Sequence, residues 1–148
     1  MHSMKHAAAR LAISALIGMV LPVTVPLTAR AAVAGPITVN LTVDPPTTTV
    51  GGQVTLTATL TNNTSSVTSG ALGIQNPGWA NQHITSVSAG CRNVIKTIYC
   101  GNPQLQPGAA MTLKVTFTTT ATGTDDFTAY GRITNVNDEY AYGTLTVS

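Results

Sequence analysis

Cys91 and Cys100 are the only two cysteines of this 148-residue chain, and they enclose the stretch CRNVIKTIYC. Zinc takes four ligands, usually in paired short spacings, and His83 is the only histidine beyond residue 34. The spacing is also wider than that of a redox Cys-x-x-Cys motif. In an exported protein, two cysteines close in sequence are usually oxidised. We therefore predict a structural disulfide that joins the two ends of a short excursion.

Catalytic chemistry has little support in the remaining residues. A general base at neutral pH is most often a histidine, and His83 lies between Gln82 and Ile84 without an evident partner. No Gly-x-Ser-x-Gly motif is present to expose a serine nucleophile. Asp125 and Asp126 are adjacent, so on a strand their carboxylates would point to opposite faces rather than flank a substrate. We interpret them as a solvated turn and expect no enzyme activity and no cofactor.

The acidic segment Asn137-Asp138-Glu139 could supply oxygen ligands to calcium. Calcium takes six to eight oxygens, usually from several carboxylates, and this segment contains two carboxylates. A hairpin turn is the preferred interpretation, and we expect no metal site. Whether calcium binds at this turn stays open at the level of the sequence.

The first residues have the features of a secretory signal peptide. Lys5 and Arg10 precede the apolar run from Leu11 to Leu21, and small residues with Ala-x-Ala spacing follow. The run is about half of the roughly 20 residues that cross a bilayer. We predict a cleaved leader over residues 1–34, with cleavage after Ala31 or Ala34. The remaining chain, 35–148, is predicted to be a single domain without a membrane span.

The charges of residues 35–148 exclude one class of partner. Four cations stand against five carboxylates, a formal charge of −1. Nucleic-acid-binding domains carry clustered cations that neutralise phosphates, and no basic stripe is present. We therefore expect no nucleic-acid partner.

The elements that position these residues are predicted to be strands. Alternation of apolar and polar residues, which marks half-buried strands, is clearest from Gln53 to Thr61 and from Met111 to Thr118. Further strands are predicted over residues 37–43, 71–75, 83–89, 93–99, 127–136 and 140–147. Turn signals recur about every ten residues without a helical period. The pattern predicts an all-β fold, an immunoglobulin-like antiparallel β-sandwich of seven to eight strands.

The strand phase predicts which side chains form the core. The apolar positions that share one face of each strand are Val54, Leu56, Leu60, Leu113, Val115, Phe117, Phe127, Ile133, Leu145 and Val147. The alternate positions are mostly threonine, which suits a solvated outer face. Lys114 falls on this threonine face, so it is not placed for a buried Lys–Asn isopeptide bond.

Three segments together carry a family resemblance. VGGQVTLTATLTNN, SVSAGC and YCGNPQLQPGAAMTLKVTFTTTATG resemble the bacterial conserved-repeat domain of unknown function number eleven over roughly Val50 to Val147. Gln75-Asn76-Pro77 stands where that family has an Asp-x-Leu-Pro turn, and the chain holds a single copy. The resemblance implies an immunoglobulin-like, extracytoplasmic domain of the kind found on bacterial cell surfaces.

The final hairpin is predicted to present a cluster of aromatic and cationic side chains. Leu145 and Val147 should face the core, and a one-residue slip would reverse their side. A three-residue turn, Asn137-Asp138-Glu139, keeps the apolar residues inside. It would pair Arg132 with Thr144 and Thr134 with Tyr142. The candidate binding face consists of Tyr130, Arg132, Tyr140 and Tyr142, and Tyr and Arg are residue types that dominate binding hot spots.

Two functional classes follow from these observations. The first is a secreted, non-catalytic binding or structural module of the bacterial cell envelope or extracellular space, whose partner is a protein or a cell-wall polymer of unknown identity. The second is a small secreted enzyme or enzyme inhibitor that acts through the loop Asn76–His83.

Overall fold

The structure, a computed structural model, describes residues 35–76, 78 and 82–148. The predicted leader, residues 1–34, lies outside the described residues, as do positions 77 and 79–81 of the loop Asn76–His83. All described residues belong to one compact unit. None of them forms a helix that is long and apolar enough to cross a membrane.

The described residues form ten strands. They are β1 (Ile37–Asp44), β2 (Thr47–Thr48), β3 (Gln53–Asn62), β4 (Thr68–Gln75), β5 (Gln82–Val87), β6 (Arg92–Val94), β7 (Thr97–Leu105), β8 (Ala110–Thr119), β9 (Gly123–Ile133) and β10 (Glu139–Val147).

The strands lie in two sheets. One sheet has four strands in the order β1-β3-β8-β5, and the other has six in the order β2-β10-β9-β4-β7-β6. All pairs are antiparallel except β2 with β10, which is parallel. The predicted all-β, immunoglobulin-like sandwich is confirmed. The count exceeds seven or eight because β2 and β6, of two and three residues, are too short to leave a periodic pattern.

The core lies between the two sheets and follows the predicted strand phase. Along β3 every second residue is buried, and β8 shows the same alternation from Leu113 onward. All ten predicted core residues are buried. The rings of Phe117 on β8 and Phe127 on β9 lie with centroids 5.8 Å apart, so this contact joins the two sheets.

Glycines in the six-stranded sheet make room for β1. A Cβ added at Gly131 would lie 2.4 Å from Val39 Cγ2, and one added at Gly143 would lie 2.7 Å from Val43 Cγ2. Real Cβ atoms do not approach other atoms so closely. The absence of side chains at these two positions therefore lets the aliphatic side of β1 pack against β9 and β10.

Asn62 organises the loops at one end of the sandwich. Its side chain is fully buried. Nδ2 donates to the carbonyls of Ser66 at 2.9 Å and Leu105 at 3.1 Å, while Oδ1 accepts from Thr64 Oγ1 at 2.7 Å. A buried amide without such partners would cost free energy, so these bonds hold three separate segments together.

The cysteine prediction is confirmed, but the segment between the cysteines differs from the expectation. Cys91 and Cys100 are joined by a disulfide at a sequence separation of nine. Instead of the single strand predicted over residues 93–99, the chain turns at Ile95-Lys96 and forms the hairpin β6–β7. The disulfide joins the two arms of this hairpin and is consistent with an oxidising, extracellular compartment.

The register of the last hairpin was predicted wrongly. Tyr140 pairs with Tyr130 and Tyr142 pairs with Thr128, and the pairing ends at Gly131 with Glu139. Residues 134–138 form the connection, which is longer than the three-residue turn expected. The shift is an even number of residues, so each side chain keeps its predicted face. Leu145 and Val147 are therefore buried as expected.

Asp125 and Asp126 are strand residues, not the solvated turn expected, because β9 begins at Gly123. The prediction that they point to opposite faces is confirmed. Asp125 accepts a hydrogen bond from Gln82 Nε2, and Asp126 Oδ1 accepts one from Thr144 Oγ1 at 2.8 Å.

Candidate functional site

The outer face of the six-stranded sheet collects all four tyrosines of the chain. Tyr140, Tyr130, Gly73 and Tyr99 pair in succession across β10, β9, β4 and β7, and Arg92 on β6 completes the line. Directly opposed residues point to the same side of a sheet. These five residues, the tyrosine row, therefore project together from the outer face.

A second line runs beside the tyrosine row. It crosses the same five strands and contains Tyr142, Thr128, Gln75, Thr97 and Val94. We call it the polar row. Tyr142 is 75% exposed and Tyr140 is 51% exposed. The two rows, together with Ala71, Arg132 and Asp138 on the other side of the tyrosine row, form the tyrosine face.

Tyr130 lies across β4 instead of pointing into solvent. A Cβ added at Gly73 would lie 2.3 Å from Tyr130 Cε1 and 2.6 Å from its hydroxyl oxygen. The phenol ring therefore occupies the space that a side chain at position 73 would need. Burial raises the pKa of the Tyr130 phenol above its ordinary value, and Asp138 and Tyr99 add to the rise while Arg132 opposes it. The phenol is neutral at physiological pH.

Arg132 and Asp138 form a two-point ion pair beside Tyr130. Arg132 Nε donates to Asp138 Oδ1 at 2.7 Å, and Nη2 donates to Oδ2 at 2.8 Å. These hydrogen bonds hold the pKa of the Asp138 carboxyl below its ordinary value, and a hydrogen bond from Tyr140 acts in the same direction. The Asp138 carboxylate is thus already paired with the Arg132 guanidinium.

The tyrosine face contains two shallow depressions that share Gln75. The first, of about 400 Å³, is lined by Ala71, Gln75, Tyr130, Arg132, Asp138 and Tyr140. The second, of about 310 Å³, is lined by Gln75, Asn76, Lys96, Thr97 and Thr128.

The structure brings together all four residues of the predicted binding face, and the tyrosine row adds Gly73, Tyr99 and Arg92, which the sequence reasoning missed. Gly73 and Tyr99 join the row because β4 lies next to β9, and β7 lies next to β4. The alternation of Ile98, Tyr99 and Cys100 could have placed Tyr99 opposite to the core. Nothing in the sequence indicates that β4 separates it from Tyr130. A role in binding stays a prediction for all of these residues.

The other predicted positions that the structure describes are not brought together into a site. His83 is exposed on β5, an edge strand of the other sheet. Among the described residues, no group of three or more His, Cys, Asp or Glu side chains could hold a metal ion. In the loop Asn76–His83, the described residues include a buried Asn76. Its side-chain Oδ1 accepts a hydrogen bond from the Gly78 backbone N–H, and its own backbone N–H donates to the Lys96 carbonyl at 3.2 Å.

The outer face of the four-stranded sheet differs in chemistry from the tyrosine face. Its β3 and β8 positions are Thr55, Thr57, Thr59, Thr61, Thr112, Lys114, Thr116 and Thr118, paired across the strands. Thr55 Oγ1 lies 3.3 Å from Thr116 Oγ1, within hydrogen-bond distance. We call this surface the threonine face, and none of these β3 and β8 positions carries an aromatic side chain.

Comparison with solved structures supports the fold. The CARDB domain of a Pyrococcus furiosus protein, solved in complex with di-metal ions, aligns with a TM-score of 0.53 and 16% identity over 75% of this chain and 91% of that chain. A non-cellulosomal cohesin from the archaeon Archaeoglobus fulgidus aligns with a TM-score of 0.54 and 15% identity, covering 77% and 92%. At such identities the likeness is one of fold alone.

A larger protein contains a similar domain. The native conformation of Escherichia coli alpha-2-macroglobulin aligns with a TM-score of 0.55 and 18% identity, over 78% of this chain and 7% of that one. No family model matches this chain. No curated protein matches it either. The resemblance to the conserved-repeat family therefore stays a prediction.

Proposed function

We propose that this chain is a secreted, non-catalytic binding module of the bacterial cell envelope or extracellular space, and that it binds through the tyrosine face. The observation that carries the proposal is the gathering of Tyr99, Tyr130, Tyr140 and Tyr142 on one face of one sheet. Tyrosine offers a large contact area with few rotatable bonds, and it is enriched where proteins bind partners.

Solvation alone does not account for this distribution. The threonine face is also solvated, and it is covered by short hydroxyl side chains. An exposed aromatic ring leaves apolar surface in contact with water, which is unfavourable. Three tyrosines of four occur on β9 and β10, and the fourth reaches the same row from a strand distant in sequence. Concentration on one face suits contact with a ligand.

Export is supported by two independent features. The predicted leader over residues 1–34 is typical of secreted proteins, and the Cys91–Cys100 disulfide suits an oxidising compartment. Similar domains include cohesins, and they are compatible with a binding or structural role.

The test is co-sedimentation of the purified protein with bacterial cell walls, used as isolated and after protease has stripped their proteins. We expect the protein to sediment with at least one preparation. Tyr140→Ala combined with Tyr142→Ala should abolish most of this binding, because both side chains are exposed and neither belongs to the core. Thr57→Ala combined with Thr59→Ala, on the threonine face, is the matched control and should bind like the unmodified protein.

Equal binding by the tyrosine double variant and the unmodified protein would overturn the proposal. So would the absence of sedimentation with either preparation. Turnover of wall polymer by the purified protein, lost in His83→Ala, would favour an enzyme instead.

A further inference from the structure

We infer that the ligand of the tyrosine face is an extended, uncharged polysaccharide whose sugar rings lie on Tyr99, Tyr130 and Tyr140. This inference rests on the proposed function and narrows its partner from a protein or wall polymer to one chemical class. Four observations support it: the straight line of the tyrosine row, the position of the Tyr130 ring, the polar groups beside the rings and the charges of the tyrosine face.

The tyrosine row fits an elongated ligand. Tyr140 and Tyr99 lie three strand positions apart, on β10 and β7. Neighbouring strands are 4.7–4.9 Å apart, so the aromatic part of the row spans about 14 Å. A single small molecule would not contact all three rings at once, whereas a polymer lying across the strands would do so.

Tyr130 provides a preformed flat surface in the middle of the row. Its ring covers Gly73, and the glycine is what allows the ring to lie over β4. Aromatic side chains combine an apolar ring with a polar hydroxyl, and a pyranose combines an apolar C–H face with hydroxyl groups at its edge. A sugar ring stacked on Tyr130 would therefore match both parts, with little ordering of the phenol on binding.

Hydrogen-bonding groups border the rings on both sides. The polar row supplies the amide of Gln75 and the hydroxyls of Thr97 and Thr128. On the other side, Arg132 and Asp138 present a donor and an acceptor held in one plane by their two hydrogen bonds. Apolar surface with a few placed polar groups is typical of ligand sites, and sugar hydroxyls both donate and accept.

The charges of the tyrosine face favour a neutral ligand. Asp138 pairs with Arg132. Two other cations are present, Arg92 at the end of the row and Lys96 beside the second depression. Binding of an acidic polymer would require a cluster of cations.

A protein partner matches the composition of the tyrosine face less well, because the cores of tight protein interfaces are about 65% apolar. Val94 is the one aliphatic side chain in the two rows.

The test is gel electrophoresis of the purified, native protein through gels that contain one soluble polymer each. The neutral probes are hydroxyethyl cellulose, a mannan and soluble starch, and polygalacturonate is the acidic probe. We expect at least one neutral polymer to retard the protein, with little change in added salt. Tyr140→Ala should weaken that affinity roughly tenfold, which corresponds to the loss of one aromatic contact.

Gly73→Ala tests the position of the Tyr130 ring without removing it. The added methyl group would displace the ring tip, which can swing away, so the fold should survive and a thermal melt checks this. We expect weakened retardation in Gly73→Ala and unchanged retardation in Thr57→Ala, on the threonine face.

Retardation by no neutral polymer would overturn the inference. So would salt-sensitive retardation by polygalacturonate alone, or unchanged affinity in both Tyr140→Ala and Gly73→Ala. These failures are distinguishable from failure of the proposed function. Wall binding that needs Tyr140 and Tyr142 but disappears from protease-stripped walls would leave the proposed function intact and replace the polysaccharide with a protein.

Discussion

Ile95 has a backbone conformation that rarely suits its side chain. Its φ is +53°, in the left-handed region, and the side chain is 89% exposed at the tip of the β6–β7 hairpin. A β-branched residue in this region is strained, by about 1–2 kcal/mol for the left-handed conformation. The side chain buries almost no surface that could offset this cost.

Replacing Ile95 with asparagine should therefore stabilise the protein. Asparagine tolerates positive φ, and we expect Ile95→Asn to raise the free energy of unfolding by about 1 kcal/mol. Val94→Asn is the control, because Val94 lies in β6, a strand, and asparagine is a poor strand former. Urea denaturation measures the free energy of unfolding of both variants. A lower free energy of unfolding in Ile95→Asn would contradict this expectation and would mean that the isoleucine side chain stabilises the folded protein.

Asp138 should titrate at lower pH than an ordinary aspartate. Its carboxyl accepts two hydrogen bonds from Arg132, so its folded-state pKa lies below the ordinary value of 3.8. Because the folded pKa is lowered, the contribution to stability is complete above the ordinary pKa. It is lost as pH falls through the folded pKa.

An NMR titration of the Asp138 carboxyl checks this expectation. Arg132→Gln should return the pKa of Asp138 toward 3.8, because it removes the largest cause of the shift. Arg92→Gln, at the far end of the tyrosine row, should leave it unchanged. An unshifted Asp138 in the unmodified protein would contradict the ion pair.

At the scale of elements, the β6–β7 hairpin depends on its disulfide. β6 has three residues, pairs with β7 and forms an edge of the six-stranded sheet. Closing a loop of nine residues in the unfolded chain should contribute about 2–3 kcal/mol. We expect Cys91→Ala combined with Cys100→Ala to lower the free energy of unfolding by that amount.

Mass measurement after alkylation, with and without reductant, verifies the bond itself. Both cysteines should resist alkylation until reductant is added. Two freely alkylated thiols in protein recovered from culture medium would refute the disulfide and remove its support for an oxidising compartment.

The packing of β1 on the six-stranded sheet depends on Gly131. A methyl group at this position would overlap Val39 and Leu60 in the core. Gly131→Ala should therefore cost about 1–3 kcal/mol, as overpacking usually does. Gly101→Ala is the matched control, because only the Gly70 carbonyl oxygen approaches its added Cβ, at 4.0 Å. Chemical denaturation measures the free energy of unfolding of both variants. Similar losses in the two would mean that β1 moves freely away from β9.

At the scale of the whole molecule, Phe117 and Phe127 hold the two sheets together. Both rings are fully buried, and they come from different sheets. Phe117→Ala should cost about 3–5 kcal/mol, as expected when a buried aromatic leaves a cavity. Thr116→Ala, one residue away on the threonine face, should change stability within about ±0.5 kcal/mol. Equal losses in the two variants would mean that the strand phase of β8 is wrong.

The sandwich, its core and its disulfide could be predicted from the sequence because their signals are local. Alternation along Gln53–Thr61 and Met111–Thr118 assigns each side chain to the core or to the solvent, since a strand has a period of two. The same parity placed Tyr130, Arg132, Tyr140 and Tyr142 on one outer face. It did so even though the predicted register was wrong, because the shift was even.

The sequence by itself therefore determined which residues face inward, and it did not determine which strands lie next to one another. A register shift by any even number of residues preserves parity, so the pairing of Tyr130 with Tyr140 required the tertiary structure. The joining of Gly73 and Tyr99 to the same row depends on the order β9-β4-β7, whose members are far apart in the chain. Hydrogen bonding between strands is set by packing of the whole sheet, and this is why the tyrosine face emerges only from the folded molecule.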